Sequence, residues 1–279
     1  MTKTFRHTLL VAIAVLVSVS CSLERKLAKE FIETRDSVAM MLFMPGYVFK
    51  TNNKVWEIKN IDQLDDQQRD SALYHSSLFL KEIDDFFLIS RYESGLQTGL
   101  RKLGIEVFTE EQLPEFMNVE HKSYKVMVAQ MELEEDIYPY RAEEVFFDSV
   151  LFFEDFDLNV VNLNSWFEIA KLNDPEADDH LLYASHYAMD GLEGRFISNL
   201  FTDEVKFHYN LFPMKTEDVY TLAAMLGEKY AGYIYDYLLN EYIYRNFPAG
   251  QRPKTYYTYN PQTRVISPAK DNRFIFMPR

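Results

Sequence analysis

The chain has 279 residues, 47% of them hydrophobic and 26% charged, with only 9 glycines and 10 prolines, a composition that excludes a disordered, collagen-like or low-complexity polymer. A formal net charge of −14 argues against nucleic acid as a partner, because a phosphate backbone is bound by exchanging its counterions for Lys and Arg. The 22 Phe and 19 Tyr supply material for a large core, while so few glycines weaken any account built on a glycine-rich phosphate loop.

At the amino terminus, Lys3 and Arg6 precede an unbroken apolar run from Leu9 to Val17, followed by Ser18, Val19 and Ser20. This is the order of regions in a secretory signal peptide, predicted over residues 1–20. Nine apolar residues are too few to span a bilayer, which takes about 20 in a helix, and no other window predicts a transmembrane helix. Cys21, the only cysteine, stands at the expected cleavage point. Ser18-Val19-Ser20-Cys21 resembles the lipobox of bacterial lipoproteins, with Ser18 in place of the usual leucine. The resemblance implies cleavage before Cys21, diacylation of its sulfur and acylation of its new amino group. Two acyl chains suffice for stable anchoring, at about 0.8 kcal/mol per buried methylene. Small residues at Ser18 and Ser20 also suit plain secretion. Ser22 resembles an outer-membrane sorting signal, and Leu23-Glu24-Arg25-Lys26 is not the acidic run of a surface-export signal. The expected location is therefore the outer membrane, lipid-anchored and facing the periplasm.

Leu23 to Met40 has the spacing of an amphipathic helix. Met41 to Met44 predicts a buried strand, Pro45-Gly46 a tight turn, Tyr47 to Lys50 the returning segment, and Thr51 to Asp70 a loop. Ser71 to Leu103 predicts helix, in one or two pieces, ending at Gly104. Ile105 to Phe108 predicts a short strand, and Thr109 with Gln112 the capping box of a brief helix. Tyr124 to Leu133 alternates as a strand does. Val145 to Phe153 is apolar on both faces, the pattern of a central strand. Glu154 to Asp157 then reads as a connection, and Leu158 to Ala170 as a strand whose parity switches at Val160-Val161, suggesting a bulge. Leu181 to Met189 and Val205 to Leu211 are further strands. Thr216 is the expected N-cap of a helix running to Arg245, with Glu217 and Asp218 in its first turn and Pro248 closing it.

Residues 248–279 differ in composition. Arg252, Lys254, Arg264, Lys270, Arg273 and Arg279 stand against Asp271 alone, a net of +5, interleaved with Tyr256, Tyr257, Tyr259, Phe274 and Phe276. This basic aromatic tail either lies on its own acidic body (residues 21–247) or contacts a protein, a lipid head group or an anionic glycan. The order of elements, including Lys102-Leu103-Gly104-Ile105-Glu106-Val107 between a helix and a strand, resembles periplasmic α/β lipoproteins of the curli-secretion and penicillin-binding-protein-activator type across about residues 37–246. That resemblance implies a helper component of an envelope machine without an active site.

Three constellations could carry chemistry. Asp155-x-Asp157-x-Asn159 begins like a calcium loop, but Val160 and Trp166 occupy the positions of the required glycine and bidentate glutamate; an acidic strand face or turn is the alternative. His180 and His186, with Asp178, Asp179 and Asp190, could share a face around a metal or be ordinary surface side chains. Glu132, Glu134, Glu135, Asp136, Glu143 and Glu144 form a carboxylate-rich segment, and glycosidases need two such groups across a cleft. No P-loop, GxGxxG or GxSxG motif is present, so no cofactor is expected. Tyr233 and Tyr237, in the tyrosine stripe of the last helix, are either core or, with Arg252, Lys254, Tyr256 and Tyr257, a partner-binding surface.

The sequence thus predicts an α+β fold: a mixed β-sheet with packed helices, a long C-terminal helix and an extended tail. The expected function is a non-catalytic scaffold or accessory subunit of a cell-envelope complex, with an envelope protein as partner. The alternative is a lipid-anchored periplasmic hydrolase acting on glycan or peptide.

Overall fold

The computed structural model describes residues 23–277 apart from 35–37, 121, 173–179, 199–201, 203, 249 and 271. The signal segment, Cys21, Asp178 and Asp179 lie outside the described residues. Those residues form an α+β structure with five α-helices and eleven strands. Helix α1 spans 23–33. Strands β1 (Val38–Phe43) and β2 (Phe49–Asn52) precede α2 (Asp66–Ser76), α3 (Asp85–Lys102), β3 (Glu106–Phe108) and α4 (Leu113–Phe116). Then come β4 (Lys122–Phe146), β5 (Ser149–Lys171), β6 (Leu181–Met189), β7 (Gly191–Ser198), β8 (Val205–Phe212) and α5 (Thr216–Arg245). The chain finishes with β9 (Tyr256–Asn260), β10 (Val265–Ala269) and β11 (Ile275–Met277).

The principal sheet is mixed, in the order β11-β6-β5-β4-β1-β3, with β2 also paired to β4. β1 runs parallel to both β3 and β4, whereas β4, β5, β6 and β11 are mutually antiparallel. Buried on both sides, β1 sends Val38, Met40 and Leu42 into the main core and Ala39 and Met41 into a smaller one with Phe108 and Phe116. That explains its unbroken apolar sequence. It also explains why the first helix stops at residue 33: Val38-Ala39-Met40 belongs to this two-faced strand and not to an amphipathic helix.

Helices α3 and α5 cross closely over the main sheet. A Cβ on Gly99 would stand 2.5 Å from the Ala231 Cβ, and one on Gly227 would collide with the Tyr92 carbonyl. The crossing therefore depends on residues without side chains. Tyr92, Tyr230, Leu96, Leu100 and Ile234 fill the space beneath.

Several expectations are corrected. The Tyr47–Lys50 region does not return along β1; β2 pairs with β4 at Glu132–Glu135, held by the Asp85 carboxylate, which accepts the Val48 N–H at 3.1 Å and pairs with Lys50 at 2.7 Å. The presumed loop to Asp70 contains the start of α2, capped by Asp65, which accepts the Gln68 N–H at 2.8 Å. Lys215, not Thr216, is the N-cap of α5; the Asp218 carboxylate accepts its N–H at 2.8 Å. The parity switch at Val160-Val161 is not a bulge, since β5 pairs continuously there with Glu135 and Asp136. Leu158, Val160 and Val161 are simply buried on both faces. The bulges fall between Val128 and Gln130 and between Glu144 and Val145.

The largest correction concerns Val145–Phe153. It is not a central strand but the end of a hairpin, turning at Phe147 and Asp148 with φ of 45° and 62°, as a two-residue type I′ turn requires. Glu154–Asp157 lies within β5 and not between strands.

Candidate functional site

The β4–β5 hairpin outruns the sheet that anchors it. Its last neighbours are β2, at Glu135, and β6, at Val160. Beyond them Asp136–Phe146 and Ser149–Asn159 pair only with each other within the principal sheet, an arm about 35 Å long at roughly 3.3 Å per residue. The β7–β8 hairpin lines one face of this arm. Phe156 meets Tyr209 and Phe207 at ring separations of 4.8 and 5.5 Å, and Phe196 meets Phe207 at 4.9 Å. Within that hairpin Gly194 leaves room for the Phe207 ring of the paired strand, where a Cβ would stand 2.5 Å from it. On the other face Arg141 lies over the Phe153 ring at 4.4 Å and forms a bidentate bridge to Asp155 at 2.6 and 2.9 Å. The pair lowers the Asp155 carboxyl and raises the Arg141 guanidinium, mainly through that hydrogen bond.

The tip of the arm is apolar and open to solvent. Val145, Phe146, Phe147, Val150, Leu151, Phe152 and Phe153 are all exposed, Phe147 to 87%. From Asp136 to Asp157 the arm carries seven acidic residues against Arg141 alone, a net of −6. Exposed apolar clusters with a polar rim mark interaction surfaces.

A buried ion pair fixes the arm's base. Lys54 and Glu135 are fully buried and 2.8 Å apart. Glu135 also accepts the backbone N–H of Leu78 at 2.8 Å and of Phe79 at 2.9 Å, and Lys54 donates to Asn159 at 3.1 Å. Asn159 in turn donates to Asp190, which also accepts the Met214 N–H at 2.7 Å. Every member of this network is hydrogen-bonded, as burial of charge demands.

A second polar group lies where α5 faces β6 and the tail. The Lys229 ammonium contacts Nε2 of His186, whose Nδ1 lies 2.9 Å from the Tyr230 hydroxyl. Burial and the Lys229 charge lower His186, and burial and Arg273 lower Lys229. With Nε2 accepting from Lys229, the neutral ring donates through Nδ1 to Tyr230, a phenol raised by burial. Nearly two turns on, burial pushes Asp236 up to about 7, against the opposing effects of the Tyr259 N–H and Arg273. These groups pack elements together: Asp236 accepts the Tyr259 N–H at 2.8 Å.

At the opposite end of β4 from the tip, the last turns of α5 and the ends of β4 and β5 enclose a cavity of about 400 Å³. Ile169, Leu238 and Tyr242 supply its apolar wall, with Lys122, Lys171 and Arg245 around it and Glu241 as the one acid among its lining residues.

The tail folds onto the body. β11 joins the sheet beside β6, and Tyr257, Tyr259, Ile266 and Phe274 enter the main core. Of the residues expected to bind a partner, Tyr237 and Tyr257 are buried, with the Tyr257 hydroxyl 3.1 Å from Glu24. Tyr256 is half-buried, and Tyr233 lies half-buried beneath Arg273, 5.6 Å from its ring. Arg252 and Lys254 remain exposed. Asp155 and Asp157 belong to the acidic strand face of the arm. His180 contacts Phe276 while His186 faces Tyr230 and Asp190 faces Asn159, so these three side chains do not converge. No group of three His, Cys, Asp or Glu positioned for a metal occurs among the described residues. In the carboxylate-rich segment, Glu135 is held by Lys54 and Glu132 accepts the Thr51 hydroxyl at 2.9 Å. The arm tip itself was visible in sequence only as the two-faced apolar run Val145–Phe153. No family model matches the chain, and comparison with curated proteins finds no match.

Proposed function

We propose that this protein is an outer-membrane-anchored lipoprotein, a non-catalytic scaffold that holds an apolar-tipped arm away from the bilayer to engage a component of a cell-envelope complex. The observation that carries this reading is the exposed, acid-rimmed apolar tip on a hairpin whose base is fixed by buried polar contacts. Rigid presentation of a large apolar surface suits binding, because little conformational entropy is then lost on association. The anchor rests on Cys21 and the lipobox-like residues before it. α1 follows within two residues and packs against the C-terminal part of α5, where Phe31 meets Tyr242 at 5.6 Å and Glu30 accepts its hydroxyl proton at 2.8 Å. Nearer Cys21 in the chain, Glu24 accepts the Lys254 N–H at 3.0 Å and the Tyr257 hydroxyl at 3.1 Å, which supports an anchor on the α5 side of the body, away from the tip.

The test is affinity purification of the tagged chain from crosslinked, detergent-solubilised membranes, beside the variants Cys21→Ala and Phe146→Ser/Phe147→Ser. The expected result is an envelope protein recovered with the native chain, lost with the tip variant, and membrane association lost with Cys21→Ala. Recovery of no other protein, or an unmodified thiol at the mature amino terminus, overturns the proposal.

A further inference from the structure

We infer that the free edge of β5 in the arm takes up an extended segment of a partner protein as an added strand, one that alternates apolar with basic side chains. The inference rests on the reading of the arm as a docking element and supplies the chemistry of what docks there. Backbone direction shows which groups are free to pair. Asn159 turns its N–H and its carbonyl away from β4, to the Asp190 carboxylate and the Asp190 N–H, each at 2.9 Å. Along a strand the same side recurs at every second residue, so Asp157, Asp155 and Phe153 direct their N–H and C=O groups off that same edge. All three residues are exposed. No strand pairs with β5 beyond the end of β6, and among the described residues these backbone groups have no hydrogen-bond partner.

The other edge of the arm is closed to such pairing. The Glu135 carbonyl accepts the Asn53 N–H at 2.9 Å, so Ile137, Pro139 and Arg141 face outward on β4. Ile137 donates to the Asp136 carboxylate at 2.7 Å, and a proline has no N–H to give. Such devices blunt an edge against strand addition, whereas β5 carries no proline and no lysine before Lys171. Charge then selects the occupant. Phe152 and Phe156, with Glu154 between them, stand on one face of the β5 edge, and Phe153, Asp155 and Asp157 on the other. Arg141 engages Asp155, Asp157 has no ion pair among the described residues, and the arm carries a net of −6. A strand alternating apolar and basic residues sets the first beside the phenylalanine rings and the second beside the carboxylates. A second copy of this edge does not fit, because it would bring Asp155 and Asp157 against the same acids.

The full chain, purified in mild non-ionic detergent, is titrated at low salt with a capped peptide alternating valine and lysine over about eight residues. Binding is read by fluorescence anisotropy and by amide hydrogen exchange, which is expected to slow at Phe153, Asp155 and Asp157. The same peptide N-methylated at every residue keeps its charge but has no N–H to donate, and is expected to bind more than about tenfold more weakly. Asp157→Pro removes an outward N–H at an edge position that tolerates proline, and is expected to weaken binding about tenfold. Asp157→Asn removes only the charge and is expected to weaken it about threefold. Circular dichroism and thermal melting like those of the native chain establish that both variants are folded. Equal binding of the N-methylated peptide, equal binding by the two variants, or protection that spares the β5 edge overturns the inference. So does binding of the arm to phosphatidylcholine vesicles with no binding of the peptide. A peptide held at the edge while crosslinked membranes yield no partner counts against the scaffold alone. An envelope protein recovered equally with Asp157→Pro and with the native chain counts against the added strand alone.

Discussion

The charged residues Lys54, Glu135 and Asp236 are all hidden in the core, but they bear on stability in different ways. Lys54 and Glu135 satisfy each other at 2.8 Å with no exposure, so removing one leaves the other buried and uncompensated. Lys54→Met is expected to lower stability by about 3–5 kcal/mol, read from urea unfolding, and Lys54→Met/Glu135→Gln to regain part of that loss. Asp236 is a different case. Its carboxyl rises from 3.8 to about 7 chiefly because burial penalises the charge. The folded state therefore binds the proton more tightly than the unfolded one. Its contribution to stability is fully present below about pH 4 and falls as pH rises toward about 7. The gap corresponds to about 4 kcal/mol. Asp236→Asn keeps an acceptor for Tyr259 but loses the pairing with Arg273, so the expected gain at pH 8 is smaller, about 2 kcal/mol. Thermal melts at pH 8 and pH 5 check this: the variant's advantage should be present at the first and absent at the second.

At the scale of elements, close approach explains what substitution would cost. Gly227 lies against the backbone of α3 at Tyr92 and Leu96, where any side chain forces α3 and α5 apart. Gly227→Ala is expected to destabilise by about 3 kcal/mol, although alanine favours helix over glycine by about 1 kcal/mol. A denaturant series that found it neutral would contradict the observed crossing. Gly194→Val should instead act locally, pushing the Phe207 ring from its place beside Phe156. Hydrogen exchange is expected to rise in β7 and β8 while the main sheet stays protected. The long elements were legible in sequence because their signals are local. α5 shows helical spacing over thirty residues, and β6 has the bounds its alternation predicts. The arm is not legible in the sequence, because an apolar run looks the same whether its partner lies in this chain or outside it. β7, β9, β10 and β11 are short, and their partners decide whether they form at all.

Across the whole molecule, β4 defines a long axis from Lys122, beside the C-terminal part of α5, to the arm tip. Cys21→Ala is expected to release the chain from membranes without altering its fold, checked by fractionation and circular dichroism, since stable anchoring draws on acyl burial and not on the folded body. The sequence by itself determined the α+β class, the long helix, the acidic body and the basic tail, because helical period, strand alternation and charge are properties of neighbouring residues. Only tertiary structure decided that the tail completes the sheet and that Val145–Phe153 stands in solvent. It alone placed the acid-rimmed tip and the cation-rimmed cavity at opposite ends. Pairing and burial depend on residues far apart in the chain: Phe276 meets Leu182, and Lys54 meets Glu135. No local pattern encodes which distant segment will supply the other side.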